Sequence, residues 1–272
     1  MAALLAACST AQNDSMNIRN SMNSSPQPTS DAGTGPQLRL ASITIDGRSY
    51  PYALFIPAGY DPARRWPLVL FLHGSGESGT NGTRQLVVGL PKHALWDSAA
   101  WPCLILMPQK PDQETQWEDH SRAVLAMLDG VERDYAIDPD RIVLTGLSQG
   151  GHGCWSINAA APGRFAALAP VCGYAAPPQA QAKADRATWR FDATNPETRR
   201  LIDAARGVPT WIFHGEADTV VPVDQSTGME AALRAAGADV RLTTYPGIGH
   251  DSWDKAYPDP ALRSWLLAAR RR

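Results

Sequence analysis

The chain has 272 residues, 44% hydrophobic and 19% charged, a balance that suits one globular α/β domain with a full core and excludes a fibrous or wholly disordered protein. Its net charge of −2, with both signs mixed along the chain, gives no electrostatic basis for a nucleic-acid partner. No segment reaches the ~20 consecutive apolar residues that a membrane span requires.

Residues 1–38 differ from the rest. Leu5-Ala6-Ala7-Cys8 resembles a bacterial lipobox, whose cysteine is lipidated after signal cleavage, although the apolar stretch before it is short and carries no basic residues. Residues 9–37, rich in Ser, Thr, Asn, Pro and Gly, read as a flexible tether. The expectation is an exported protein, periplasmic, secreted or lipid-anchored at Cys8, with cytoplasmic residence as the alternative. Cys103, Cys154 and Cys172 lie in apolar stretches and read as buried free thiols. Export would permit one disulfide without selecting a pair.

From residue 39 to 272 the elements repeat. Leu40 to Ile45 and Tyr50 to Ile56 flank Asp46-Gly47, a hairpin signal. Short, solidly apolar runs follow at Leu68 to Leu72, Cys103 to Met107, Ile142 to Thr145, Ala166 to Cys172 and Thr210 to Phe213, with a strand-like run at Val240 to Tyr245. Runs apolar on both faces suit parallel strands covered by helices. Val124, Leu128, Val131 and Tyr135 form a helical stripe, and Asp259-Pro260 opens a last helix that buries Leu262, Trp265, Leu266 and Ala269. Arg270, Arg271 and Arg272 read as cations complementing the dipole at that helix's end. The pattern predicts a mostly parallel, doubly wound sheet with an N-terminal antiparallel hairpin, its chemistry in the turns after the strands.

Four of those turns carry chemistry. Thr145-Gly146-Leu147-Ser148-Gln149-Gly150-Gly151 follows a buried strand and contains Gly-x-Ser-x-Gly, which lets the chain turn sharply and present Ser148 as a nucleophile. Leu72-His73-Gly74-Ser75-Gly76-Glu77-Ser78-Gly79 can offer a backbone donor to an oxyanion. The N–H groups of Ser75 and Gln149 are the candidates, with His73 bracing the loop. The glycines also suggest a phosphate loop, but no Gly-Lys-Ser/Thr follows them, so that reading is weak. In Phe213-His214-Gly215-Glu216-Ala217-Asp218 two carboxylates are available: Asp218, further into the loop, is the candidate to orient a histidine, while Glu216 supports the turn. Asp224 reads as a helix N-cap. Gly247-Ile248-Gly249-His250 presents His250 as general base, completing the order Ser, Asp, His with gaps of 70 and 32 residues. With no His-Glu-x-x-His and no Cys–His ligand spacing, neither metal nor cofactor is expected.

These stretches, together with Pro108-Gln109, Asp140 to Gly151, Pro170-Val171-Cys172-Gly173, Phe213 to Pro222, Gly249-His250-Asp251-Ser252-Trp253 and Trp265-Leu266-Leu267, resemble the α/β-hydrolase superfamily. Within it, the likeness over about residues 40 to 270 is to the predicted peptidases and the feruloyl- and polyhydroxybutyrate-depolymerase-like esterases. The resemblance implies an α/β-hydrolase fold and a serine carboxylesterase acting on small-molecule or polymer esters. It places Ser148, Asp218 and His250 as triad and Ser75 and Gln149 as oxyanion donors. Gln149 stands where methionine is common in the family, a change that hardly affects a backbone donor. Residues 174–207 look longer than usual, and read either as a partial lid or as a surface insertion. A serine peptidase of the prolyl-oligopeptidase type and a non-catalytic scaffold are the rival readings, and oligomeric state is not encoded in any motif.

Overall fold

The computed structural model describes residues 35–175 and 189–271. The lipobox-like run with Cys8, most of the tether, and Arg272 lie outside the described residues.

Eight strands form one sheet in the order β1-β2-β4-β3-β5-β6-β7-β8. β1 (Gln37–Ile45) and β2 (Arg48–Ile56) form the antiparallel hairpin, turning at Asp46 and Gly47, whose φ values of 51° and 77° are the positive pair a two-residue turn demands. β2 is antiparallel to β4 (Leu104–Pro108), and every later pairing is parallel, through β3 (Trp66–Leu72), β5 (Ile137–Leu147), β6 (Ala167–Val171), β7 (Thr210–Gly215) and β8 (Val240–Tyr245).

The alternation of Cβ direction along a strand explains why these runs are apolar throughout. In β3, Leu68, Leu70 and Leu72 join one core layer, while Val69 and Phe71 join the other. In β4, Leu104 and Leu106 divide from Ile105 and Met107 in the same way. The first layer is closed by α2 (Ser121–Asp134), α3 (Gln149–Ala160), α4 (Pro196–Ala205) and α5 (Asp224–Ala235). The second is closed by α1 (Gly89–Trp96), α6 (Trp253–Ala256) and α7 (Pro260–Ala268). The sheet is therefore doubly wound, with the hairpin at one edge, as the sequence predicts. No helix among the described residues is long and apolar enough to cross a membrane.

Three sequence expectations need correction. Asp224 is not an N-cap: the cap position is Val223, already helical, and the Asp224 carboxylate accepts from Phe191 N–H at 3.0 Å instead. Arg270 and Arg271 lie beyond the end of α7 and pair across the surface with Asp138 and Asp140 at 2.9 and 2.8 Å, so side-chain carboxylates rather than the dipole are their partners. Within 174–207, α4 is a regular helix of the core layer, capped by Asn195 and burying Leu201, Ile202 and Ala205. That part is neither lid nor surface insertion, because its apolar face has α3 to pack against; residues 176–188 lie outside the described residues. The three described cysteines are free and buried, and burial pushes their thiols upward, away from reactivity.

Candidate active site

Because β3, β5, β7 and β8 are parallel, the four turns emerge on one edge of the sheet. The turn after β5 is the tightest. Ser148 adopts φ 54° and ψ −115°, a conformation that costs a non-glycine residue ~1–3 kcal/mol. The strain is held by hydrogen bonds from Ser148 N–H to the Val171 carbonyl (2.9 Å) and from His152 N–H to the Ser148 carbonyl (3.1 Å). Glycine is required on both sides. A Cβ at Gly146 would lie 2.4 Å from the Gly150 carbonyl oxygen and 2.7 Å from that of Leu72.

The turns after β7 and β8 are tied together. Glu216 N–H donates to Tyr245 (3.0 Å) and Ala217 N–H to Ile248 (2.9 Å), while a Cβ on Gly215 would sit 2.2 Å from the Gly249 carbonyl oxygen. This close approach carries His250 to Asp218. His250 Nδ1 stands 2.7 Å from Asp218 Oδ2, and its Nε2 stands 2.9 Å from Ser148 Oγ. The ring packs edge-on against Trp253, with centroids 5.4 Å apart. The structure thus joins Ser148, His250 and Asp218, residues 102 and 32 positions apart, in one hydrogen-bonded relay. Glu216 instead accepts from the Thr244 hydroxyl at the surface.

Asp218 is buried, which opposes ionisation, but hydrogen bonds from His214, His250 and Val221 N–H outweigh that and hold its carboxyl far below the usual range. Its Oδ1 accepts from Val220 and Val221 N–H at 2.8 and 2.9 Å.

Ser75 and Gln149 are the first residues of a 3-10 turn (Ser75–Glu77) and of α3, so their N–H groups have no intrahelical acceptor. The 3-10 turn lies beside the elbow: a Cβ on Gly74 would come within 3.6 Å of Ser148 Cβ. His73 braces this turn. It is fully buried, its Nδ1 donates to the Gly74 carbonyl at 2.5 Å, and its Nε2 accepts from Lys110 N–H at 3.1 Å. Burial drives its pKa down to about 3, so the ring is neutral, as an acceptor role for Nε2 requires. The Gln149 side chain turns away, its Nε2 donating to the Thr115 carbonyl at 3.0 Å.

Two features escape motif reading. His214, at the end of β7, reaches Asp218 Oδ2 at 3.1 Å; its spacing of four residues before Asp218 was the available signal. His152, one turn into α3, stacks on Tyr174 and faces both carboxylate oxygens of Glu118 at 3.1 Å. Its other nitrogen faces the Ala175 and Tyr174 carbonyls, at 2.9 and 3.2 Å. Glu118, against the cost of its burial, is held at about 2 by the bond to His152. Among the described residues, no group of three or more His, Cys, Asp or Glu side chains is placed to hold a metal ion.

The chain resembles known proteins over most of its described length. It is 31% identical over 122 residues to acyl-protein thioesterase 1 of Gibberella zeae, covering 44% of this chain and 46% of that protein. It is 28% identical over 274 residues to esterase LipQ of Mycobacterium tuberculosis, covering 86% of this chain and 62% of that one. The chain therefore spans roughly half to three-fifths of the length of these relatives. Among solved structures, a thermostable esterase superposes with a TM-score of 0.70 at 29% identity, over 86% of this chain and 63% of its own. The family model described as the prolyl oligopeptidase family matches residues 117–264, a span that contains Ser148, Asp218 and His250. On that match, which takes in more than half of its residues and agrees with the α/β-hydrolase fold above, the chain belongs to the prolyl oligopeptidase family.

Proposed function

We propose that this protein is a serine ester hydrolase that works through an acyl-enzyme on Ser148. The observation that carries the reading is the relay itself: Ser148 Oγ, His250 and Asp218 stand at 2.9 and 2.7 Å, with the serine on a strained strand-to-helix turn. His250 Nε2 takes the hydroxyl proton as Oγ attacks the ester carbonyl. Asp218 fixes the ring with Nδ1 protonated and balances the imidazolium that forms. The N–H groups of Ser75 and Gln149 receive the oxyanion at the N-terminal ends of their turns. The imidazolium then protonates the departing alcohol, and the acyl group stays on Ser148. Water, deprotonated by the same His250, releases the acid and restores the serine.

The similarity to an esterase and to an acyl-protein thioesterase supports ester or thioester carbonyls as the substrate class, with short-chain, feruloyl and polyester-type esters as the candidates. The match to a peptidase family supports amide cleavage as a second reading of the same site, since an imidazolium that can protonate an alcohol can also protonate an amine. Turnover of p-nitrophenyl acetate by wild type and by Ser148→Ala tests the proposal: the variant is expected to fold and to lose nearly all activity, and wild-type turnover in it contradicts the assignment. A parallel panel of acetyl, butyryl, feruloyl and long-chain esters against peptide anilides separates the two readings.

A further inference from the structure

His214 is fully buried and its ring is bolted on both sides. Nδ1 lies 2.7 Å from the Ser226 hydroxyl on α5. Nε2 lies 2.9 Å from the Val221 carbonyl and 3.1 Å from Asp218 Oδ2. Both of those oxygens only accept, so Nε2 carries a proton and shares it between them as a three-centre bond. The loop from Asp218 to Val221 is thereby closed in both directions. Asp218 Oδ1 holds Val221 N–H, and His214 holds Val221 C=O.

The oxygen that His214 grips is the same Oδ2 that receives His250 Nδ1. A carboxylate turns about its Cβ–Cγ bond in a broad well, so the hydrogen bonds on its two oxygens decide which way it faces. Oδ1 is fixed by two backbone donors, and Oδ2 by two imidazoles. We infer that His214 is a positioning residue, which sets the orientation of the Asp218 carboxylate and, through it, of the His250 ring. The inference rests on the triad proposed above. It adds a second histidine that never meets substrate, since its side chain has no exposed surface.

Two consequences distinguish this role from mere packing. Without the His214 donor, Oδ2 gives its whole acceptor capacity to His250, which stabilises the imidazolium and moves the acid limb of the rate profile to higher pH. The looser carboxylate also holds the ring less well, which lowers kcat with little change in KM. A glutamine at this position places an amide N–H near the place of Nε2 and restores the bond.

The test measures kcat, KM and the pH profile of kcat/KM with p-nitrophenyl acetate for wild type, His214→Leu, His214→Gln and Ser226→Ala, with fluorophosphonate labelling of wild-type Ser148 alongside. The expected result is a fall in kcat of about 100-fold in His214→Leu, a KM within a few-fold, an acid limb displaced upward, and recovery to within about 10-fold in His214→Gln. Ser226→Ala, which removes a smaller group, is expected to lower kcat several-fold and keeps the test open where the leucine variant does not fold. A His214→Leu enzyme with wild-type kcat and pH profile overturns the inference, as does an equal loss in the leucine and glutamine variants with the profile unmoved. Wild type that neither turns over esters nor labels at Ser148 overturns the triad reading itself.

Discussion

The carbonyl of Leu72 passes so close to Gly150 that a Cβ there would lie 2.0 Å from its oxygen, which locks the end of β3 against the first turn of α3. This contact sets the loop after β3 beside Ser148 and leaves no room for a side chain. Gly150→Ala is expected to destabilise the fold by more than about 3 kcal/mol, because both colliding groups are backbone. Urea unfolding of the purified variant, or its loss from the soluble fraction, measures this. Gly247→Ala, at an open position with φ 71°, is expected to cost only about 1 kcal/mol by the same assay.

Asp218→Asn is expected to leave the fold intact and lower kcat by about 10⁴-fold. An amide at this place can turn its N–H₂ toward His250 Nδ1, which favours the tautomer that cannot accept the serine proton. Steady-state kinetics with an ester probe checks the loss. A Glu216→Gln control, on a surface carboxylate bonded to Thr244, is expected to stay within about two-fold of wild type.

The buried neutral ring of His73 makes stability pH-dependent. Its folded pKa of about 3 lies below the ~6.5 of an unfolded histidine, so between those values the unfolded chain binds the extra proton. Stability is therefore fully present above pH ~6.5 and is lost as pH falls toward 3, at roughly 1.4 kcal/mol per unit from this group. His93 and His120, lowered chiefly by burial, act in the same direction. Asp218 and Glu118, whose carboxyls are held low, add their loss only below pH ~4. Chemical unfolding from pH 7 to 4.5 is expected to show the slope, and His73→Gln to flatten it.

Glu118 closes the buried acceptor cage around His152. Glu118→Gln removes the carboxylate bonded to the His152 ring, and is expected to cost about 1–3 kcal/mol, scaled down because part of the carboxylate reaches solvent. Thermal unfolding at pH 7 reads this out.

The strands were legible because both faces of this sheet are covered. Leu68 to Leu72 and Cys103 to Met107 must be apolar at every position, and such runs stand out in a sequence. The hairpin was equally plain, since Asp46-Gly47 suits two consecutive positive φ values. The helices were less so. Pro196–Ala205 carries its own signals, an Asn-Pro start and apolar residues at 201, 202 and 205, but these are masked by the long Ala- and Pro-rich stretch before them. Asp224 misleads because Val223 already has helical angles, which moves the cap one residue back. Ser148, Asp218 and His250 were each legible as members of turns after strands. Glu118 was not, because its role arises from a contact with His152, 34 residues away on another element, that local spacing does not describe. His214 stands four residues before Asp218, a spacing that points to the contact but that no catalytic motif singles out.

The most direct measurement is covalent labelling with a fluorophosphonate, followed by peptide mapping, for wild type and His250→Ala. A phosphonylated serine reports one hydroxyl made nucleophilic by its neighbours, whatever the natural ester proves to be. The expected result is a single adduct on Ser148 in wild type and labelling slowed at least 100-fold without the imidazole. An adduct on another serine, or equal labelling rates in the two proteins, contradicts the account.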